Sequence, residues 1–214
     1  ETSYGFDASI EYYLDNGSLF SAAAFMRNID NVIYAGDSTI DAGAFIEEFA
    51  GEQWTYTGFL NGSDGKFSGI ELNSVFFADD IIQGLGLSAN VTFTDSEFRQ
   101  ANGETVGLPG TSDLIYNAAI FYEDYGISAR LNYSWRDKWI SPIEDPAEFW
   151  GEMTRLDAQI SYTFANQVSG SEVSVYANFN NITDETDVRY AGNGTINQAE
   201  SYGMHYLIGV RVTY

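Results

Sequence analysis

The chain closes with the strictly alternating stretch Met204-His205-Tyr206-Leu207-Ile208-Gly209-Val210-Arg211-Val212-Thr213-Tyr214. Successive side chains of a β-strand point to opposite faces, so this stretch divides into two sets. One set is entirely apolar and consists of Met204, Tyr206, Ile208, Val210, Val212 and Tyr214. The other set holds the only histidine of the chain and consists of His205, Leu207, Gly209, Arg211 and Thr213. The pattern predicts a strand with one apolar and one polar face.

Apolar or alternating segments recur along the chain and predict about nine strands in all. With the closing stretch at 204–214, they are 3–14, 19–34, 66–78, 85–94, 114–122, 127–135, 156–164 and 173–179. The links between them are short near residues 15, 80, 124 and 168 and long near residues 50, 103, 146 and 193. Within the long link 35–65, Trp54, Tyr56 and Phe59 suggest a strand extension. The links 95–111, 138–152 and 184–202 are predicted to be loops.

Two architectures fit the alternation. In a soluble β-sandwich the apolar faces would pack on a protein core, whereas in a transmembrane β-barrel they would face lipid and the polar faces would line a wet lumen. Across the seven clearest strands the apolar faces carry no charge, whereas the polar faces carry Asp7, Glu11, Arg130, Arg136, Arg155, Asp157 and Arg211. This distribution favours the barrel and predicts that these residues, together with His205, face the lumen.

Aromatic residues gather toward both ends of the apolar faces, as in the two aromatic girdles of a membrane barrel. Those near the short links are Tyr12, Tyr122, Phe164 and Tyr214, and those toward the long links are Tyr4, Tyr133, Trp135 and Tyr206. The alternation of short and long links also matches the short periplasmic turns and long extracellular loops of such barrels. The sandwich nevertheless stays open as an alternative.

The composition excludes several functions. With 31 acidic and 9 basic residues the formal net charge is -22, which disfavours nucleic acid and polyanionic ligands as partners. The chain has no cysteine, so a disulfide framework and any cysteine-based site are excluded. The sequence has no run of about 18 apolar residues, so no transmembrane helix is predicted. No catalytic constellation is present, and we predict that the protein is not an enzyme.

Several motifs resemble TonB-dependent outer-membrane receptors in the C-terminal part of their barrel. They are Gly69-Ile70-Glu71, Pro109-Gly110-Thr111-Ser112, Tyr116-Asn117-Ala118, Ser128-Ala129-Arg130-Leu131-Asn132-Tyr133, Asn178-Phe179-Asn180-Asn181-Ile182-Thr183-Asp184 and Tyr202-Gly203 through Tyr214. The resemblance implies a location in the outer membrane of a Gram-negative bacterium and active import of a scarce nutrient. It also implies that the terminal aromatic Tyr214 serves in recognition by the barrel-assembly machinery.

The family's barrel has 22 strands around an N-terminal plug. We therefore expect residues 1–214 to supply about the last nine strands, with the plug and the earlier strands absent. The implied partners are the rest of the barrel and the plug, TonB with its inner-membrane energising complex, and the lipid bilayer with lipopolysaccharide. A surface lipoprotein is a further candidate partner, and no nucleic acid partner is expected.

Candidate ligand-binding residues are the aromatic and asparagine residues of the long links: Trp54, Asn102, Trp139, Trp150, Tyr190, Asn193 and Tyr202. Few basic residues populate these links, so an oligosaccharide is favoured over an anionic siderophore, with siderophore import and a passive porin as alternatives. A secreted carbohydrate-binding sandwich is a further alternative. No cofactor is expected, although the acidic pairs Glu47-Glu48 and Asp79-Asp80 could bind calcium. On the final strand, Val210→Arg is expected to impair assembly, whereas Gly209→Ser is expected to be tolerated.

Overall fold

The computed structural model describes residues 1–100, 103–141, 148–164 and 171–213. Within these ranges the strands are, in chain order, β1 (Thr2–Tyr13), β2 (Leu19–Asp30), β3 (Ile33–Asp41), β4 (Gln53–Asn61), β5 (Gly65–Phe77), β6 (Leu85–Arg99), β7 (Thr105–Val106), β8 (Leu114–Asp124), β9 (Ile127–Arg136), β10 (Trp139–Ile140), β11 (Phe149–Trp150), β12 (Met153–Thr163), β13 (Glu172–Asn180), β14 (Thr186–Tyr190), β15 (Ile196–Ser201) and β16 (His205–Thr213). Two single-turn 3₁₀ helices, Ala42–Ala44 and Glu47–Phe49, lie between β3 and β4. The all-β prediction is confirmed.

Nine long strands form one antiparallel meander in the order β1-β2-β5-β6-β8-β9-β12-β13-β16, and the short β7 pairs with β6. They correspond one to one with the nine segments predicted from the alternation. Each neighbour in the sheet is the next long strand of the chain, so every connection is a turn or a loop that returns to the adjacent strand. This is the up-and-down topology from which closed barrels are built.

The strand register assembles the apolar faces of all nine strands into one continuous surface. In the last pair, Val210 lies opposite Val175 and Ile208 lies opposite Ala177. These side chains are exposed rather than packed, with Ile208 at 71% and Val210 at 65% of full exposure. An exposed apolar patch of this size normally contacts lipid or another protein surface.

The sheet is a single layer, which excludes the β-sandwich alternative for the described residues. Their accessible surface is 13736 Å², whereas a compact monomer of this mass exposes about 9,800 Å². The buried apolar cluster of Val32, Tyr34, Phe98 and Leu108 lies at the long-link end of the sheet, where Ile29 and Phe67 pack against it, and does not cover the sheet along its length. A sandwich would instead bury one face of each sheet against the other.

Two glycines on the polar face lie directly opposite aromatic residues, and the contact at Gly209 argues against the expected tolerance of Gly209→Ser. Gly209 pairs with Tyr176, and a Cβ added at Gly209 would lie 2.5 Å from the Tyr176 ring. Gly86 pairs in the same way with Phe121, whose ring would lie 2.1 Å from an added Cβ. Each aromatic ring therefore covers the backbone of its partner glycine, and a side chain at Gly209 has to displace Tyr176.

The long links are not simple loops, contrary to the sequence-based expectation. The link 35–65 holds the β3–β4 hairpin, which includes Trp54, Tyr56 and Phe59 as predicted for a strand extension. In the link 95–111, β6 continues to Arg99 and β7 pairs with it. The links 138–152 and 184–202 together form a separate four-stranded sheet in the order β10-β11-β14-β15. In the described ranges, no helix is long and apolar enough to cross a membrane.

Candidate functional site in the long links and on the polar face

Two links distant in sequence meet in the four-stranded sheet. Its register places Trp139 opposite Trp150, Trp150 opposite Arg189, and Arg189 opposite Gln198. Cross-strand neighbours on one face of a sheet interact directly, so these four side chains form a ladder. On the opposite face, Phe149 stacks on Tyr190 with ring centroids 5.3 Å apart.

The ladder extends into a stack of alternating cations and rings. The Arg136 guanidinium lies 3.9 Å from the Trp139 ring centroid, and Trp139 stacks on Trp150 at 6.0 Å with an interplanar angle of 15°. Arg189 lies 5.6 Å from the Trp150 centroid on the far side of the ladder. Both tryptophans therefore pack against protein groups, and the predicted role of Trp139 and Trp150 as free stacking platforms for a ligand loses its structural support.

Hydrogen bonds tie the stack to its surroundings. Arg136 donates through Nε to Ser112 Oγ at 2.7 Å and through Nη2 to the Gly110 carbonyl. At the other end, Arg189 lies 3.5 Å from a Glu148 carboxylate oxygen and donates to Gln198. Arg189 and Glu148 could not be predicted as site residues from the sequence, because only the pairing of β11 with β14 brings the two links together.

Arg155 and Asp157, near the start of β12, bind residues of the link that follows β13. Arg155 forms an ion pair with Asp187 in which Nη2 donates to both carboxylate oxygens, at 2.7 and 2.5 Å, and Asp187 is only 4% exposed. Asp157 accepts a hydrogen bond from the Asn181 backbone amide at 2.8 Å. Asn181 has a positive φ of 53° and itself binds Glu185 and Gly203. Arg155 and Asp157 therefore organise the link.

The tip of the β3–β4 hairpin is closed by one carboxylate. Asp41 accepts hydrogen bonds from the amides of Gly43 at 2.8 Å and Gly51 at 3.0 Å. The Gly43 hydrogen bond, followed by that of Gly51, lowers the pKa of Asp41 below its usual value. Nearby, Trp54 packs on Phe49 at 5.4 Å and remains 39% exposed, so it keeps free ring surface.

The other predicted ligand-binding residues are distributed over the link 184–202. Tyr190 stacks on Phe149, while the Asn193 side chain accepts two hydrogen bonds from Thr195 within its own turn. Tyr202 is exposed and donates to Glu200, which raises the pKa of Tyr202 through that hydrogen bond and the adjacent negative charge. Two further predicted residues, Asn102 and Tyr214, lie outside the described residues.

The eight residues predicted to face the lumen all share the polar side of the main sheet by register. Asp7 pairs with Arg27 at 2.8 Å, and Glu11 accepts a hydrogen bond from Tyr13. Arg130 lies 5.0 Å from the Phe121 ring centroid and Arg211 lies 5.6 Å from that of Tyr176. His205 lies opposite Asn180 in the register.

A cavity of about 580 Å³ opens on the polar face beside Asp7, Arg27 and Glu71 and reaches the Gly110-Thr111-Ser112 turn. Among the described residues, no group of three His, Cys, Asp or Glu side chains is arranged to hold a metal ion. Glu47 and Glu48 are exposed in the second 3₁₀ helix, and Asp79 accepts a hydrogen bond from the Gly84 amide at 2.8 Å. The cavity on the polar face is lined by aromatic, cationic and hydroxyl side chains that can bind a ligand noncovalently.

Comparison with known proteins matches the chain to one protein family. A family model described as "TonB dependent receptor-like, beta-barrel" matches residues 1–182. No curated protein matches the chain. Among solved structures, the siderophore receptor PiuA from Acinetobacter baumannii aligns with 97% of this chain and 28% of its own, at 19% identity and a TM-score of 0.63.

Two further solved structures show the same fold. A mutant of the ferric enterobactin receptor PfeA from Pseudomonas aeruginosa aligns with 99% of this chain and 31% of its own, at 18% identity and a TM-score of 0.66. The ferric-catecholate import receptor Fiu from E. coli K12 aligns with 99% of this chain and 27% of its own, at 15% identity and a TM-score of 0.64. The chain thus spans less than a third of each of these proteins.

Proposed function

Because this chain belongs to the TonB-dependent receptor β-barrel family, we propose that it forms part of an active importer in the outer membrane of a Gram-negative bacterium. Members of this family are transporters and not enzymes. The energy for import would be relayed by TonB and its inner-membrane complex, which act on the plug of the complete receptor.

The observation that carries the membrane part of the proposal is the exposed apolar face of the nine-stranded sheet. It is continuous across the sheet, and in the described strands the charged residues with the same parity lie toward the ends of their strands, at Asp30, Lys66, Asp95, Glu97, Arg99 and Asp124. Lipid covers such a band without requiring any protein core. The opposite face carries carboxylates, arginines and amides, which suit a water-filled interior.

Completion of the barrel by further strands is part of the proposal. In the described sheet, β1 and β16 each pair with a neighbour on one side only. An unpaired strand edge cannot persist in the hydrocarbon region, because its backbone groups find no hydrogen-bonding partners there. The rest of the barrel, the plug, the bilayer and lipopolysaccharide are therefore proposed as partners, and a surface lipoprotein remains a candidate.

For the imported nutrient we propose an iron chelate of the siderophore class. The three solved structures named above are a siderophore receptor, a ferric-catecholate import receptor and a ferric enterobactin receptor, which supports this class over the oligosaccharide expected from the few basic residues in the links. The packing of Trp139 and Trp150 agrees with this revision, because it removes two of the aromatic platforms on which the sugar expectation rested.

The test is uptake of radiolabelled iron by cells that express the complete receptor, compared with cells that lack it. We expect uptake of at least one ferric siderophore that disappears when TonB is deleted or the proton gradient is collapsed. Uptake that persists without TonB would support the passive porin instead. Energy-dependent uptake of an oligosaccharide, with no ferric complex transported, would restore the carbohydrate hypothesis.

A further inference from the structure

The outer half of the β3–β4 hairpin stands apart from the other described strands. We name residues 36–41 and 53–58 the outer ribbon, and each of its two strands is about 20 Å long. Among the described strands, β3 and β4 pair only with each other. The buried apolar cluster contains Tyr34 and contacts Leu60, so it anchors only the base of the hairpin. Both edges of the outer ribbon therefore keep backbone groups that no other described strand pairs with.

The other long links show how this molecule satisfies such edges. The links 138–152 and 184–202 combine into the four-stranded sheet β10-β11-β14-β15, and the link 95–111 places β7 against β6. Of the described long links, only the β3–β4 hairpin remains a two-stranded sheet. An isolated two-stranded hairpin is at best marginally stable in water, whereas a third strand adds stability. The outer ribbon can therefore gain from a further strand.

The two faces of the outer ribbon differ in chemistry. The aromatic face carries Ile40, Trp54 and Tyr56, and both aromatic side chains are 39% exposed. The opposite face, which we name the carboxylate face, carries only exposed polar side chains: Asp37, Thr39, Asp41, Gln53, Thr55 and Thr57. Side chains of a strand added at either edge would alternate between these two faces. Every second residue of such a strand would meet carboxylates, and the residues between would meet aromatic rings.

The charge of the hairpin specifies the sign of its partner. Its acidic residues are Asp37, Asp41, Glu47, Glu48 and Glu52. No lysine, arginine or histidine occurs in residues 28–65, and neither Asp37 nor Asp41 forms an ion pair among the described residues. Cross-strand pairs of opposite charge stabilise a sheet, whereas like charges destabilise it. A second copy of the ribbon would therefore be repelled, and a basic strand would be attracted.

We infer that the outer ribbon is a docking site for an extended segment of another polypeptide in which basic and apolar residues alternate. The segment adds as a third strand, with its basic side chains toward Asp37 and Asp41 and its apolar side chains toward Trp54 and Tyr56. In strand addition the main-chain hydrogen bonds supply affinity and the alternate side chains supply specificity. The inference rests on the proposed function for one point: the barrel places the long links outside the cell, so the partner arrives from there.

The test is binding of a fluorescein-labelled peptide of about ten residues, alternating lysine and valine, to the complete receptor in detergent. One control peptide has the same composition with its lysines and valines in two blocks, and another alternates glutamate and valine. Micelles without receptor give the background, and fluorescence anisotropy measures the dissociation constants. We expect the alternating lysine–valine peptide to bind about tenfold more tightly than either control, because only it matches both faces.

Methylation of the peptide's backbone amides tests whether it adds as a strand. The N–H groups of successive strand residues point to opposite edges, so only every second amide can bond to the ribbon. One peptide is therefore N-methylated at every lysine and another at every valine. We expect one of the two to lose binding and the other to keep most of it. Equal affinities of the two methylated peptides would overturn strand addition.

Receptor variants test the location of the site. Asp37→Asn should weaken binding by about two- to fivefold, the range for an exposed ion pair. Asp15→Asn is the matched control, because it removes the same charge from the exposed short turn after β1 and should leave binding unchanged. A shortened hairpin, in which asparagine–glycine replaces residues 37–57, should bind no more peptide than the micelle background. Heat modifiability confirms that each variant is folded.

Intact cells test the side of the membrane. The labelled peptide should stain cells that display the receptor and should not stain cells that display the shortened hairpin. Staining that requires a permeabilised outer membrane would overturn the outward location. Iron uptake is measured in parallel, and peptide binding needs neither iron nor TonB. Uptake that is absent or independent of TonB, together with the expected staining, would contradict the importer and leave the docking site standing.

Four other results would overturn the docking site itself. They are equal binding of the alternating and block peptides, equal effects of Asp37→Asn and Asp15→Asn, full binding by the shortened hairpin, and no binding by the complete receptor. The last result would mean that another segment of the receptor already covers the ribbon.

Discussion

The face on which a residue lies determines what it can be replaced by. Val210 projects from the apolar face of β16 opposite Val175 and is 65% exposed. Leu207, on the polar face of the same strand, is 56% exposed and lies opposite Asn178. Two apolar residues of similar exposure on one strand therefore meet different surroundings if lipid covers one face and water the other.

We expect Val210→Arg to reduce barrel assembly, because an arginine facing lipid near the bilayer centre costs about 2–4 kcal/mol. Leu207→Arg is the matched control and should assemble at close to the normal level, since its guanidinium can reach water in the lumen. The measurement is the yield of heat-modifiable, folded receptor in outer-membrane fractions. Equal yields for the two variants would contradict the assignment of the faces.

The contact between Gly209 and Tyr176 predicts a coupled pair of substitutions. Gly209→Ala should destabilise the folded receptor by about 1–3 kcal/mol, because the added methyl group overlaps the Tyr176 ring. In a Tyr176→Ala background the same substitution should cost much less, since the ring is gone. A double-mutant cycle of unfolding free energies in detergent measures this coupling. Independent, additive effects would show that the ring moves away at no cost.

At the scale of elements, the sequence predicted the long strands and failed in the long links. The nine strands were predictable because each must keep apolar residues on one face along most of its length, as Val210 and Val212 do in β16. In contrast, β10, β11 and β14 contain few residues each, and their pairing depends on contacts between Trp150 and Arg189 that are remote in sequence. No local periodicity encodes such contacts.

The candidate site shows the same limit. Aromatic residues in the links were predicted to bind ligand from their type alone, yet Trp139 and Trp150 are stacked between Arg136 and Arg189. Sequence alone could not reveal this, because the cations come from β9 and β14 and reach the rings only in the folded sheet. Parity, on the other hand, was enough to place Arg130 and Arg211 on the same face as His205.

The link after β13 should depend on the ion pair between Arg155 and Asp187. Asp187→Ala leaves a largely buried guanidinium without its carboxylate, and we expect a loss of roughly 3 kcal/mol in the stability of this link. Hydrogen exchange of the amides in β14 and β15 measures the loss. Exchange in β1 and β2, which do not contact this link, is the internal control and should not change. Unchanged exchange in β14 would show that the ion pair contributes little.

The β3–β4 hairpin should open at its tip in acid. The pKa of Asp41 is lowered by the amides of Gly43 and Gly51, so the folded tip favours the ionised carboxylate. This stabilisation is present above the usual carboxyl pKa of about 3.9 and is lost as the pH falls through the lowered value. Protection of the Gly43 and Gly51 amides, corrected for intrinsic exchange, should fall over that range. Asp41→Ala should lack protection already at neutral pH.

At the scale of the whole molecule, both faces of the main sheet are largely uncovered by protein, and the described residues form hardly any core. An accessible area of 13736 Å² means that apolar side chains, including Phe6 and Ile10 at 69% and 72% exposure, are stabilised by something other than this chain. In the proposed barrel, lipid covers the apolar face and further strands pair with the edges of β1 and β16. The stability of this sheet therefore depends on what covers its apolar face and pairs with its edge strands.

Residues 1–214 produced alone should consequently fail to give a soluble monomer. In buffer without detergent we expect aggregation driven by the apolar face and by edge-to-edge pairing of β1 and β16, measured by light scattering and size-exclusion chromatography. Detergent should suppress the aggregation that arises from the face but leave the edges free to pair, so oligomers with increased β-structure should remain. The complete receptor in the same detergent is the control and should elute as one folded species. A monodisperse, detergent-free monomer of residues 1–214 would contradict the membrane barrel, because a single-layer sheet of this composition has no means to cover its apolar face in water.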